Sequence, residues 1–136
     1  MDAEQPLIAH FKAMGTRVSV FVDADVSAVV AARAAGADRI ELYTEPYAHA
    51  WASVSDVMTS AAAGAACEPF AAAARKAREI GLAVNAGHDL NLNNLPLLLR
   101  EVAPDEVSIG HAFIADALLM GLAETTRAYW RLCHGA

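Results

Sequence analysis

Two Gly-His steps, Gly87-His88 and Gly110-His111, are the residues of this chain whose types and spacing most readily do chemistry. In each, a glycine lets the backbone approach a ligand closely. The imidazole that follows can hold or release a proton near neutral pH. The second step opens into an apolar helical run, and the free N–H groups and positive dipole end of a helix favour a phosphate. A plainer reading stands beside it, with Gly110 as a tight turn and His111 as a polar helix cap. Glu41 is the third candidate, a carboxylate flanked by Ile40 and Leu42. In a strand it points opposite to both neighbours, and burying it unpaired is costly. A structural role therefore requires an arginine beside it, whereas a functional role requires only a polar cavity. Asp23 and Asp25 follow another apolar run, where an aspartate commonly caps the next helix, and the cap reading is preferred. His10, His49 and His134 are read as solvated, on a surface helix, in a loop and in the terminal tail.

These residues need elements to position them, and the chain alternates in the required way. Pro6 to Gly15 reads as a helix stopped by glycine. Val18 to Val22 reads as a strand apolar enough to be buried on both faces, and Val26 to Ala35 as a helix ending at Gly36. Arg39 to Tyr43 is the second strand, followed by a long loop and an alanine-rich helical region reaching Glu79 and stopping at Gly81. Leu82 to Asn85 is a strand, Asn94 to Val102 a helix with Pro96 in its first turn, and Glu106 to Ile109 the last strand. Ala112 to Leu132 is helix, broken at Gly121. Four strands with long helical crossovers give an α/β protein with a parallel sheet. In such folds functional residues collect at the C-terminal ends of strands, where both Gly-His steps fall. In eight-fold barrels the phosphate site is often built by the loops after the last two strands, and here those loops each supply one step. A flavodoxin-like open sheet shares the same pattern of elements.

Composition narrows the class. The chain has 136 residues, 56% hydrophobic but only 7% aromatic; the excess is alanine, which suits closely packed helices. That length holds one compact core but is short against the roughly 250 residues of an eight-fold barrel. A net charge of −6 argues against a nucleic-acid partner, while backbone donors can still hold a small anion. The first residues lack an apolar run and no stretch is long enough to span a bilayer despite a mean hydropathy of +0.30, so neither a signal segment nor a membrane partner is expected. Cys67 and Cys133 are isolated thiols without metal-ligand spacing, read as reduced cysteines of a cytosolic protein.

The runs VSVFVDAD, GADRIELYTEPYA, GLAVNAGHDLNLNNL and EVSIGHAFIADALLMGL resemble, in order and spacing, the C-terminal half of the pyridoxine 5′-phosphate synthase family. The likeness covers nearly the whole chain except the alanine-rich stretch around Ser53 to Pro69. It implies a (β/α)4 half, residues 1–136, of a TIM-type (β/α)8 barrel in a cytoplasmic homo-oligomer. It also implies condensation of 1-deoxy-D-xylulose 5-phosphate with 3-amino-2-oxopropyl phosphate, with no metal and no organic cofactor. By motif, His88 matches the family's proton-donating histidine and Glu41 the carboxylate that stabilises charge in the transition state. Gly110 and His111 match the phosphate grip on the aminoketone, and Asp89 stands where that grip has glycine, since the family reads AGHG and this chain AGHD. Likewise Thr44-Glu45 stands where the family tends to Thr-Gly. The catalytic base, a second histidine and the arginines for the sugar phosphate belong to the family's N-terminal half and are not found here. The expectation is thus a chain inactive in isolation, one that self-associates or pairs with such a half. A catalytically inactive half-barrel that binds a phosphate ligand or serves oligomerisation is the alternative.

Overall fold

The computed structural model describes residues 4–53 and 61–135. In chain order the elements are α1 (Gln5–Ala13), β1 (Ser19–Val22), α2 (Val26–Ala34), β2 (Arg39–Tyr43), α3 (Glu45–Ala52), α4 (Ala61–Glu79), β3 (Ala83–Gly87), α5 (Leu95–Val102), β4 (Glu106–Ser108), α6 (His111–Met120) and α7 (Leu122–His134). All strand pairs are parallel and the sheet order is β1-β2-β3-β4. Strand order therefore follows chain order without the reversal that a flavodoxin-like sheet has. This is the arrangement of half of a TIM-type barrel, as the resemblance implied.

Register decides which residues face which layer. Ile40 pairs with Val20 and Val84, and Leu42 with Val22 and Ala86. Ile40, Leu42, Val84 and Ala86 are fully buried on the face that the helices cover. Against them pack Val29 and Ala32 of α2, Phe70, Ala73, Ala74 and Ala77 of α4, and Leu95 and Leu98 of α5. Alanine at the α4 positions lets that helix lie close on the sheet, the packing that the composition pointed to. Gly36 and Gly81, at φ 94° and 77°, end α2 and α4 in the left-handed region and turn the chain into the next strand.

The opposite face carries Phe21, Arg39, Glu41, Tyr43, Asn85, Gly87, Glu106 and Ser108, the other half of each two-residue period. No described helix covers it, so it corresponds to the face that lines the interior in a TIM-type barrel. Its floor is a polar network. Arg39, 8% exposed, donates to Asn85 Oδ1 at 2.9 Å and pairs with Glu106 Oε2 at 2.7 Å. Arg17, just before β1, reaches Glu106 Oε1 at 3.5 Å. Because β1 and β4 are separated by two strands, that contact shows a sheet curled toward its inner face.

Three expectations need correction. β1 is not buried on both faces: it is an edge strand, and Phe21 is 51% exposed on the inner face. The long loop after β2 is in part a helix: α3 begins two residues beyond the strand, with Pro46 in its first turn and the ring pair Tyr47–Trp51, one turn apart, on its inner side. His49 is therefore helical, as is His134, which closes α7 and stacks on Trp130. The rest of the expected loop, 54–60, lies outside the described residues. Asp25 caps α2 by accepting from the Ser27 N–H, as preferred from sequence.

Asp38 fastens α1 and β1 to the start of β2. It accepts from the Val18 N–H at 2.9 Å and pairs with Lys12 Nζ at 2.7 Å. The Lys12 ammonium, then the Val18 N–H, hold its carboxyl below the ordinary aspartate range. A depressed carboxyl contributes stability above its unfolded value and loses it as pH falls through its folded value. Asp38→Asn should therefore cost under about 1 kcal/mol at neutral pH, since the pair is partly exposed. Urea denaturation should show that cost closing as pH falls below the ordinary aspartate value of about 3.9.

Candidate functional site

A cleft of about 630 Å³ opens at the C-terminal ends of β2, β3 and β4. Glu41, His88, Asp89, Gly110 and His111, the five residues singled out from sequence, all line it. Each arrives from a different constraint. Glu41 is placed by the alternation of β2, on the inner face. The arginine that a purely structural role required does not serve it: Arg39, two residues earlier on the same face, is taken by Asn85 and Glu106. Among the described residues Glu41 makes no ion pair.

His88 and Asp89 form the turn that leaves β3, and both sit at positive φ, 84° and 56°. Non-glycine residues in this region cost roughly 1–2 kcal/mol each unless the surroundings hold them. Here they are held. The Thr44 hydroxyl, fully buried, lies 2.5 Å from both the Gly87 and the His88 carbonyl oxygens, and the Thr44 N–H donates to Gly87 O at 2.9 Å. On the far side the Asn94 amide donates to Asp89 O at 2.9 Å, and Tyr47 OH donates to Asn94 O at 2.6 Å. Leu90 is buried beneath the turn. Asp89, where the resemblance set aside a glycine, thus occupies backbone that favours glycine.

The His88 ring packs against Phe21 at 4.9 Å and Tyr43 at 5.1 Å between centroids, and those two rings are 5.3 Å apart. Phe21 on the edge strand β1 thereby reaches the site. Carboxylates crowd the same rim. The Tyr43 hydroxyl is pushed up from its ordinary value first by its hydrogen bond with Glu45, then by loss of solvent and by the charges of Glu45, Asp89 and Asp23.

Gly110 is the N-cap of α6 and His111 its first residue. At Gly110 φ is −103°, which any residue adopts, and a Cβ there would meet nothing within 4 Å. Neither backbone strain nor packing demands glycine. Nor is His111 a cap; it lies inside the first turn, whose leading N–H groups have no intrahelical partner and open on the cleft. Ser108 and Asn91 also line the cleft, and sequence reading named neither. For Ser108 the signal was there: it shares the alternation of Glu106 and stands opposite Gly87.

Comparison with known proteins matches these motifs to a family. The family model of the pyridoxal phosphate biosynthesis protein PdxJ matches residues 1–135. A pyridoxine 5′-phosphate synthase of Albidiferax ferrireducens is 52% identical over 128 residues, 93% of this chain and 48% of its own length. The namesake from Porphyromonas gingivalis is 48% identical over 90% of this chain and 49% of its own. That of Xanthomonas oryzae is 50% identical over 96% and 49%. The chain spans about half the length of these curated relatives.

Thr44 is the clasp of the turn that carries His88. Thr44→Val should destabilise the chain by about 1–2 kcal/mol in urea denaturation, because the hydroxyl bond to the turn is lost and Gly87 O keeps only the Thr44 N–H. It should also speed hydrogen exchange at the amides of residues 88–90, and Thr44→Ser should restore both. A Thr44→Val variant with native stability and exchange would show that the turn is held elsewhere.

Proposed function

The chain belongs to the PdxJ family of pyridoxal phosphate biosynthesis proteins, and from that premise we propose that its cleft works on a phosphorylated aminoketone in the closure of the pyridine ring of pyridoxine 5′-phosphate. The observation that carries this reading is the convergence of Glu41, His88, Asp89, Gly110 and His111 on one cleft at the strand ends. The substrate phosphate sits against the leading N–H groups of α6, where Gly110 adds no side chain to block the approach and the helix dipole favours an anion. His88, on a turn fixed by Thr44 and Asn94, protonates the oxygens that leave as water and inorganic phosphate. Glu41, without a cation of its own among the described residues, offsets positive charge that develops in the condensing amine and carbonyl carbons. Asp89 contributes its N–H. The reading needs no metal or organic cofactor.

The reaction joins this substrate to 1-deoxy-D-xylulose 5-phosphate, and the cleft as described offers one phosphate grip and one proton donor. A general base and cations for the second phosphate belong, by the resemblance, to four further β/α units. The sheet has room for them: β1 and β4 each leave one edge unpaired among the described residues, and α6 exposes Ile114, Leu118 and Leu119. Such edges invite pairing, and we place there either a second copy of the chain or a complementary half. No described helix is long and apolar enough to cross a membrane.

Two experiments test the reading. The purified 136-residue chain, given both substrates, should self-associate in light scattering and yet form no pyridoxine 5′-phosphate. Turnover above a His88→Ala control would show that assembled copies build a complete site. The second addresses the phosphate. The Asp89 carboxylate lies on the cleft that would receive an anion, so Asp89→Gly should tighten phosphate binding by at least about tenfold at low salt. That gain should shrink as ionic strength rises and screens the repulsion. Calorimetric titration of both forms at two salt concentrations checks it. Equal affinities would mean that only the Asp89 backbone matters, and tighter binding by the natural form would overturn the phosphate site.

A further inference from the structure

Gly87 is the residue of the β3 end whose role is still open, and its surroundings define one. It lies within a strand, outside the positive-φ region, so backbone freedom does not explain a glycine there. Space does. A Cβ at Gly87 would stand 2.6 Å from Glu41 Oε1, closer than such atoms approach. It would also stand 3.2 Å from Ser108 Cβ and 3.3 Å from Ser108 O. Tyr43 and Ser108 are the register partners of Gly87, so Glu41, two residues before Tyr43, reaches it diagonally across the pleat. The Glu41 carboxylate thus passes over the bare Cα of Gly87 toward β4, and arrives between β2 and β4 where His88, Ser108 and Gly110 line the cleft.

We propose that Gly87 is a positioning residue: its missing side chain is the seat that holds the Glu41 carboxylate over β3, facing the ligand. This rests on the proposed role of Glu41 and extends it to the residue that sets where the charge stands. Any larger side chain at 87 fills the seat and turns the carboxylate away. The displaced atom is the far end of a side chain that can swing aside, but the carboxylate then loses the position its surroundings favour, and that loss carries much of the cost of a side chain at 87. The tighter contact with the Ser108 backbone leaves a residual cost that does not involve Glu41.

A mutant cycle read without ligand separates these contributions, so a failed phosphate titration leaves it intact. Gly87→Ala, Glu41→Ala and the double variant are melted, and the Glu41 carboxyl carbon is followed by NMR in glutamate-labelled protein. Gly87→Ala should lower the melting temperature and move the Glu41 carboxyl resonance, whereas Gly64→Ala, whose Cβ would meet nothing, should leave that resonance in place. In the Glu41→Ala background the loss caused by Ala at 87 should fall to about half or less, the non-additivity of groups in contact. If Gly87→Ala alone does not fold, the added Glu41→Ala should restore folding. Equal losses in both backgrounds, an unmoved resonance, or a double variant that still fails to fold would overturn the proposal and assign Gly87 to packing against Ser108.

Discussion

Parallel pairing of β2 with β3, Glu41 against Asn85 and Tyr43 against Gly87, commits every second residue of both strands to the face opposite the helices. Everything at the cleft depends on that register. One residue of slip would drive Ile40 and Leu42 out of the helical layer and carry Glu41 into it, a burial that neither an ion pair nor the alanine-rich α4 could offset. The helix-side core therefore fixes the inner face as firmly as it fixes itself. At its upper end the ladder is extended by one bond, from the Thr44 N–H to Gly87 O, and the Thr44 side chain then carries the constraint into the turn that presents His88.

The two faces of the sheet divide the work. The covered face is apolar and rich in alanine, and supplies stability through area removed from water. The inner face is polar along its length. At the floor the Arg17–Glu106–Arg39–Asn85 network satisfies charge with charge, although Arg39 Nε is buried without a hydrogen-bond partner among the described residues. At the mouth Glu41 has no such partner among the described residues. A structure that pairs one inner-face carboxylate twice and leaves another without an ion pair among the described residues has placed the second at the end where ligands enter a barrel.

Much of this was legible in the sequence, for identifiable reasons. The strand ends could be found because hydrophobic runs and their glycine stops mark them, and the Gly-His steps and Glu41 then fell on one rim by topology alone. What sequence missed is three-dimensional. Phe21 reads as core because it is aromatic in an apolar run, yet its exposure follows from β1 lying at an edge. α3 was hidden by its eight residues and its proline, although Pro46 in a first turn and the spacing of Tyr47 and Trp51 were signals for a helix. The seat at Gly87 and the clasp by Thr44 depend on neighbours 46 and 43 positions away, which no local pattern records. Asp89 sits between these cases: its departure from the family motif is visible in sequence, and its left-handed backbone explains why glycine is favoured there.

The proposed phosphate site lies in the strand-end cleft, on the N-terminus of α6. It is tested most directly by adding inorganic phosphate to uniformly nitrogen-labelled protein and following the backbone amides. Saturable shifts at Gly110, His111 and Ala112, with smaller ones at His88 and Asp89, are the result expected. Shifts confined to other parts of the chain, or none at these five amides, would contradict it.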